Sequence, residues 1–295
     1  MRPAPLAFAD ARADLQGAEF VIFGVPFDGT STFRKGSSLA PEKIREASYN
    51  FETYIFEQDI DLDDVPVHDA GDVECSGGVK EVLGRVRDFS SEVADSGKIP
   101  VAIGGDHSIT PAVVESFDDI GVVILDAHLD FRDSYEGERL GHACTTRRVS
   151  EVVGIDHVIP VGVRSFSREE STDARDLGLS YIRASEIFEK KLMATTARKA
   201  LSFVERSDIY LSVDMDVVDP AYAPGVGNPE PFGLTADQVR ELIDLLGSRL
   251  VGVDFVEVSP PHDCGTTSLL TARLIREAIA VMKKAHMYPG MSAVL

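Results

Sequence analysis

Residues 122–130 read VVILDAHLD and residues 209–220 read IYLSVDMDVVDP: in each, an almost unbroken apolar run stops at acidic residues spaced two apart. Continuous apolarity without alternation marks a strand covered on both faces, as in a parallel sheet between helix layers. Similar runs cover Phe20 to Val25, Ile99 to Ile103, His157 to Val163 and Leu250 to Val256. Between the runs lie helical patterns over Pro41 to Ala47, Val79 to Ala94, Thr110 to Phe117, Thr145 to Val153, Ala194 to Glu205, Ala236 to Leu246 and Thr267 to Ala285. The last places Leu270, Leu274, Ala278 and Met282 on one stripe, with Thr266 and Thr267 as its expected caps. This alternation predicts parallel βαβ units with right-handed crossovers: an α/β, three-layer αβα sandwich with a mostly parallel central sheet. No repeat, linker or low-complexity tract interrupts it, so residues 1–295 are expected to form a single domain. In such sheets a site forms beyond the carboxyl ends of the strands, where the acidic clusters fall.

The 295 residues are 44% hydrophobic and 26% charged, a globular composition. No apolar run approaches the roughly 20 residues that span a bilayer, so no membrane partner is expected. The N-terminal stretch lacks a basic start followed by an apolar segment, which points to the cytoplasm. Cys75, Cys144 and Cys264 are far apart and form no CxxC pair, against a disulfide framework or a thiolate zinc site. A net charge of −20, with acids scattered as at Asp59, Asp61, Asp63 and Asp64, repels nucleic acid and anionic membranes. Acid excess with little lysine also suggests a halophilic protein, kept soluble in high salt.

Three clusters carry the chemistry. Gly104, Gly105, Asp106, His107 and Ser108 follow the strand KIPVAI; the paired glycines permit a sharp turn from which His107 emerges. Asp126, His128 and Asp130, spaced by two, share one face of an extended segment. Burying two carboxylates and an imidazole together costs several kcal/mol per unpaired ion, a difficulty that a cation removes. Asp214 and Asp216 repeat the device before Pro220 ends regular structure. Four carboxylates match the charge of two divalent ions, and His107 and His128 add neutral nitrogens. Mixed oxygen and nitrogen ligands without sulfur favour manganese over structural zinc, with iron, nickel and cobalt as other divalent choices.

The segments GGDHS, DAHLD and SVDMDVVDP resemble the three signature segments of the ureohydrolase (arginase-like) family. GVPFDGTSTFRKG with APEKIREAS, the loop APGVGNPEPFGLT and the closing DFVEVSPPHDCGTTSLLTARLIRE extend the likeness over nearly the whole chain, toward the agmatinase branch. The resemblance implies the arginase-like fold, two Mn2+ ions and a homo-oligomer, a trimer or hexamer. Carried over by position, one ion takes His107, Asp126, Asp130 and Asp214; the other takes Asp126, His128, Asp214 and Asp216. A hydroxide between the ions is then the implied nucleophile. Glu257 matches the acid that grips the guanidinium, and His142 the proton shuttle to the departing amine.

The small guanidino substrate implied is agmatine, cleaved to putrescine and urea as in polyamine biosynthesis. Asp133, Glu136 and Glu138, in the loop after Asp130, suit its cationic tail. Arg132 or Arg164 could instead receive a carboxylate, so arginine, guanidinobutyrate, formimidoylglutamate and aminopropylagmatine stay open. Lys35, Ala40, Asn228 and Phe232 depart from the family pattern and are expected to shape the tail pocket. Two rival readings are a single-zinc deacetylase on the same fold and an inactive scaffold subunit. The complete ligand set with Glu257 and His142 argues against both.

Overall fold

A computed structural model describes residues 1–2, 4, 6–187 and 193–288. Its strands are β1 (Phe20–Gly24), β2 (Tyr54–Ile55), β3 (Ile60–Asp61), β4 (Val67–Asp72), β5 (Ile99–Ile103), β6 (Gly121–Leu125), β7 (Val158–Val163), β8 (Ile182–Arg183), β9 (Ile209–Asp214) and β10 (Leu250–Val256). Its α-helices are α1 (Ala40–Ser48), α2 (Val79–Asp95), α3 (Thr110–Val114), α4 (Thr145–Val153), α5 (Arg168–Leu177), α6 (Met193–Val204), α7 (Ala236–Leu246) and α8 (Thr266–Met287).

Eight strands form one sheet in the order β4-β1-β5-β10-β9-β6-β7-β8, and every pairing in it is parallel. β2 and β3 make a separate antiparallel hairpin. Helices α1, α6, α7 and α8 adjoin one another on one face, and α2, α3 and α4 on the other. Ala174 of α5 joins the apolar core on that second face. Burial on both sides explains the unbroken apolar runs: β5, β6, β7 and β9 are buried at every position. Among the described residues β10 is the last strand in sequence; it lies between β5 and β9 and is the only one pairing the β4-β1-β5 side with the β9-β6-β7-β8 side.

The elements missing from the sequence reading are polar for local reasons. Edge strand β4 reads VHDAGD, and its acids are held by the buried Arg45 guanidinium, 2.7 Å from both Asp69 Oδ2 and Asp72 Oδ1. Helix α5 reads REESTDARDL and buries only Glu170 and Ala174, so it shows no apolar stripe. Its signal is a capping box: Glu170 N donates to Ser167 Oγ and Ser167 N donates to Glu170 Oε2. The cap expected at Thr266 and Thr267 is corrected. Gly265 is the N-cap, in the left-handed region, while Asp263 accepts from the Gly265 and Thr267 amides. Thr267 Oγ1 instead accepts from Gly225 N.

Candidate metal centre

Every proposed ligand sits where an apolar strand ends, on β5, β9 or β6, and with β10, which leads into Glu257, these strands are consecutive in the sheet. After β5 the chain turns through Gly105, where a Cβ would meet Phe27 O at 1.7 Å; only glycine lets these backbones touch. His107 follows, fully buried. Beyond β6 come Asp126, His128 and Asp130; β9 ends on Asp214, and Asp216 follows two residues later in a short 3₁₀ segment.

His107 Nδ1 lies 3.1 Å from Asp126 Oδ2, 3.1 Å from Asp214 Oδ2 and 3.6 Å from Asp130 Oδ2. His128 Nδ1 lies 2.9 Å from Asp216 Oδ2 and 3.7 Å from Asp126 Oδ1. Ligand atoms of His107, Asp126 and Asp214 fall within 4.8 Å of one another, as do those of Asp126, His128 and Asp216. Asp126 thus belongs to both groups. Backbone amides hold the carboxylates in place: His128 N donates to Asp126 Oδ1 at 2.6 Å, Asp216 N to Asp214 Oδ1 at 2.8 Å, and Ala127 N to Asp216 Oδ1 at 3.1 Å.

A relay that the motif reading did not include fixes His107. Ser212 on β9 pairs in register with Asp254 on β10. Ser212 Oγ donates to Asp254 Oδ1 at 2.6 Å, so toward His107 Nε2, 3.0 Å away, it can only accept. Nε2 therefore carries the proton and Nδ1 presents a lone pair to the carboxylates. Asp254 is buried, which raises its pKa, and it also accepts from Tyr210 and Thr110 hydroxyls at 2.8 and 2.9 Å.

That arrangement tests whether metal ions fit. A lone pair facing carboxylate oxygens repels them, and both His107 Nδ1 and Asp126 Oδ2 are buried with no hydrogen-bond partner. Without a cation the alternative to that repulsion is a second proton on His107: burial opposes it, yet the Asp126 and Asp214 carboxylates hold the pKa well above the ordinary histidine range. Burial and neighbouring carboxylates likewise push Asp130 and Asp214 well up. A divalent cation relieves both misfits at once, and the donors are oxygen and nitrogen with no sulfur. The residues fit such ions.

Glu257 lies at the end of β10, buried, with Oε1 accepting from His107 N at 2.8 Å. Burial, helped by the Asp106 charge, pushes its carboxyl up to about 8. Glu257 and Asp130 both hold positive φ, at 63° and 49°. Non-glycine residues there cost on the order of 1–3 kcal/mol and gather at functional sites. His142 opens the turn before α4, 7% exposed, and burial lowers its pKa below the usual value.

His128, Asp130, His142, Asp214, Asp216 and Glu257 line a cavity of about 520 Å³, together with Arg132, Glu170 and Asn228. Two tail expectations change. Arg164 donates to five backbone carbonyls, of Gly162, Asp216, Val217, Glu230 and Pro231, and so has no face left for a carboxylate. Asp133 is held by Arg148 and Arg139 at 2.7 and 2.9 Å. Arg132 does line the cavity, 3.2 Å from Glu170 Oε2 and stacked on Tyr135. Of the unusual positions, Asn228 lines this cavity, Lys35 lines a neighbouring one that also takes in Glu136 and Glu138, Ala40 lies in the core and Phe232 is 77% exposed.

Comparison with known proteins agrees with this geometry. The model of the Arginase family matches residues 18–281, a span holding every candidate ligand. Agmatine ureohydrolase of Thermoplasma volcanium superposes with a TM-score of 0.91 at 42% identity, covering 95% of each chain. An N(1)-aminopropylagmatine ureohydrolase of Thermococcus kodakarensis is 35% identical over 90% of this chain and 92% of its own. An agmatinase of Bacillus anthracis is 32% identical over 92% and 94%. With matches of this extent laid over an all-parallel sheet and clustered strand-end ligands, the chain belongs to the arginase family, a family of metal-dependent hydrolases.

Proposed function

We propose that this protein hydrolyses a guanidino compound to urea and an amine, with agmatine, giving putrescine, as the leading substrate. The observation carrying the proposal is the meeting of four buried aspartates with buried His107 and partly buried His128 beside Glu257, with an unpartnered His107 Nδ1 and Asp126 Oδ2. We assign two Mn2+ ions, one to His107, Asp126, Asp130 and Asp214, the other to Asp126, His128, Asp214 and Asp216. When bound, such ions supply a water acidic enough to be a nucleophile near neutral pH.

The chain's own groups do the rest. Glu257, anchored by the His107 amide, accepts paired N–H bonds from the planar guanidinium, whose positive charge returns the carboxyl to its ionised form. Water adds to the guanidinium carbon, the bond from that carbon to the chain nitrogen breaks, and His142 gives the departing amine a proton. Urea and an ammonium product result. The commitment of Arg164 to backbone removes one receiver for a carboxylate, and Arg132 is already paired with Glu170, so a substrate without a carboxylate tail is favoured.

The test is urea release from manganese-loaded protein in high salt, with agmatine, aminopropylagmatine, arginine and guanidinobutyrate offered separately and formimidoylglutamate assayed as formamide. Asp126→Asn should lose both metal and turnover; retained turnover sinks the reading. Family likeness and the −20 charge further support a cytoplasmic homo-oligomer, trimer or hexamer, adapted to salt. Light scattering across a salt series tests this. Among the described residues no helix is long and apolar enough to cross a membrane.

A further inference from the structure

Thr30 belongs to none of the metal segments, yet its hydroxyl is the sole side-chain hydrogen-bond partner of the His142 imidazole among the described contacts. Thr30 is itself pinned by Asp106, which is fully buried. Thr30 N and Oγ1 both donate to Asp106 Oδ2, at 2.9 and 2.8 Å. The other oxygen, Oδ1, accepts from Ser108 N at 3.2 Å and from the Ser108 hydroxyl. Each Asp106 oxygen thus accepts from one backbone N–H and one hydroxyl.

The consequence for Thr30 follows by counting. A hydroxyl has one proton and two lone pairs. The proton goes to Asp106, so both lone pairs face His142: one takes the His142 amide at 3.0 Å, the other lies 3.3 Å from Nδ1. An oxygen with no proton to give can hold Nδ1 only as an N–H.

We propose that Thr30 is a positioning residue that fixes His142 as its Nδ1–H form, making Nε2 the nitrogen that exchanges a proton with the leaving amine. This rests on the reading of His142 as proton donor. Burial opposes a proton on His142, and nearby Asp106 favours one. The site has the logic of a histidine whose partner selects its tautomer, here through a threonine relay from a buried carboxylate.

The experiment compares Thr30→Val, which deletes the hydroxyl at nearly constant shape, with Thr30→Ser, which keeps it. Each is assayed on agmatine and on its oxyguanidine analogue, where an oxygen next to the leaving nitrogen makes that nitrogen far less basic. General acid catalysis is worth about 10²–10⁴-fold, and a misdirected donor forfeits part of it. Thr30→Val should lower kcat on agmatine roughly 10- to 100-fold on that scale, with KM and bound manganese nearly unchanged and the melting temperature lowered, since the His142 amide loses its acceptor. On the analogue the loss should be far smaller, and Thr30→Ser should restore agmatine turnover. An equal loss on both substrates, no loss at all, or no rescue by serine overturns the proposal.

If the wild-type protein releases no urea from any guanidino compound, the functional reading fails separately. The tautomer is then decided by the 15N shifts of labelled histidine in diamagnetic, zinc-loaded protein, with His142→Gln supplying the assignment. Wild type should show Nδ1–H at His142 and Thr30→Val should lose that preference; Nε2–H in the wild type overturns the proposal.

Discussion

Ser212→Ala removes a single oxygen, and the structure says what that oxygen does. It accepts from His107 Nε2 at 3.0 Å and donates to Asp254 Oδ1 at 2.6 Å, in a layer where all three residues are fully buried. Asp254 keeps the Tyr210 and Thr110 hydroxyls, so the injury falls mainly on His107, whose Nε2–H is left without a partner. An orphaned buried donor costs about 1–3 kcal/mol. Loss of a partner that orients a metal-binding histidine costs about 10- to 100-fold in metal affinity, which is about 1.4–2.8 kcal/mol. The loss should be selective. The ion assigned to His107 weakens, while the ion assigned to His128 and Asp216 holds, because that group reaches Ser212 through no hydrogen bond. Chelator competition, with bound manganese counted at each chelator level, should show the first ion leaving 10- to 100-fold earlier than in wild type on that scale, with the second unmoved. Melting of the metal-free protein measures the folding cost independently. Wild-type affinity for both ions in a folded Ser212→Ala protein would refute the relay, as would equal weakening of the two.

Three further outcomes are expected. Glu257→Gln keeps an acceptor but discards the charge, and charge-assisted hydrogen bonds are worth about 1.5–3 kcal/mol; kcat/KM should fall roughly 10- to 100-fold on that basis while metal content, measured by atomic emission, stays at the wild-type value. Phe232 is 77% exposed with φ of 65°, so its ring buries little while its backbone is strained; Phe232→Gly should stabilise the fold by about 0.5–1 kcal/mol once the extra unfolded-state entropy of glycine is set against the relief, read as a higher denaturant midpoint. Burial pushes the Cys75 thiol up to about 12 and Cys144 up to about 11, whereas Cys264 is exposed. At pH 8 a thiol reagent should therefore label one cysteine quickly, Cys264, and the other two only on unfolding; fast labelling of two would contradict the burial.

The central strands were legible because burial on both faces leaves an apolar run with no gaps, and strand-end aspartates stand out against it. Strand β4 and helix α5 were not, since their stability comes from partners distant in sequence: Arg45 neutralises the acids of β4, and α5 contributes little beyond Glu170 and Ala174 to any interior. The metal ligands were readable as spaced motifs, but the groups that orient them were not. Ser212 meets Asp254 only through the register of two strands 42 positions apart in the chain. A clue was present all the same, because an aspartate inside the apolar run LVGVDFV has to find donors if that strand is covered on both faces. The roles of Arg164 and Asp133 were misjudged for a related reason. Composition shows that a charge is present, and only the folded loops show that backbone carbonyls or neighbouring arginines have already claimed it.

The position of β10 bears on how the protein is made. A ribosome that has released the chain only as far as Arg249 has produced all six candidate metal ligands but not the strand that seats β5 beside β9. Until Leu250 to Val256 inserts, His107 belongs to one half-sheet and the aspartates to another, each half with an unpaired flank open to aggregation. The two candidate ions then differ in timing: the one assigned to Asp126, His128, Asp214 and Asp216 draws on β6 and β9 alone, whereas the one assigned to His107 needs both halves and must wait for the keystone strand.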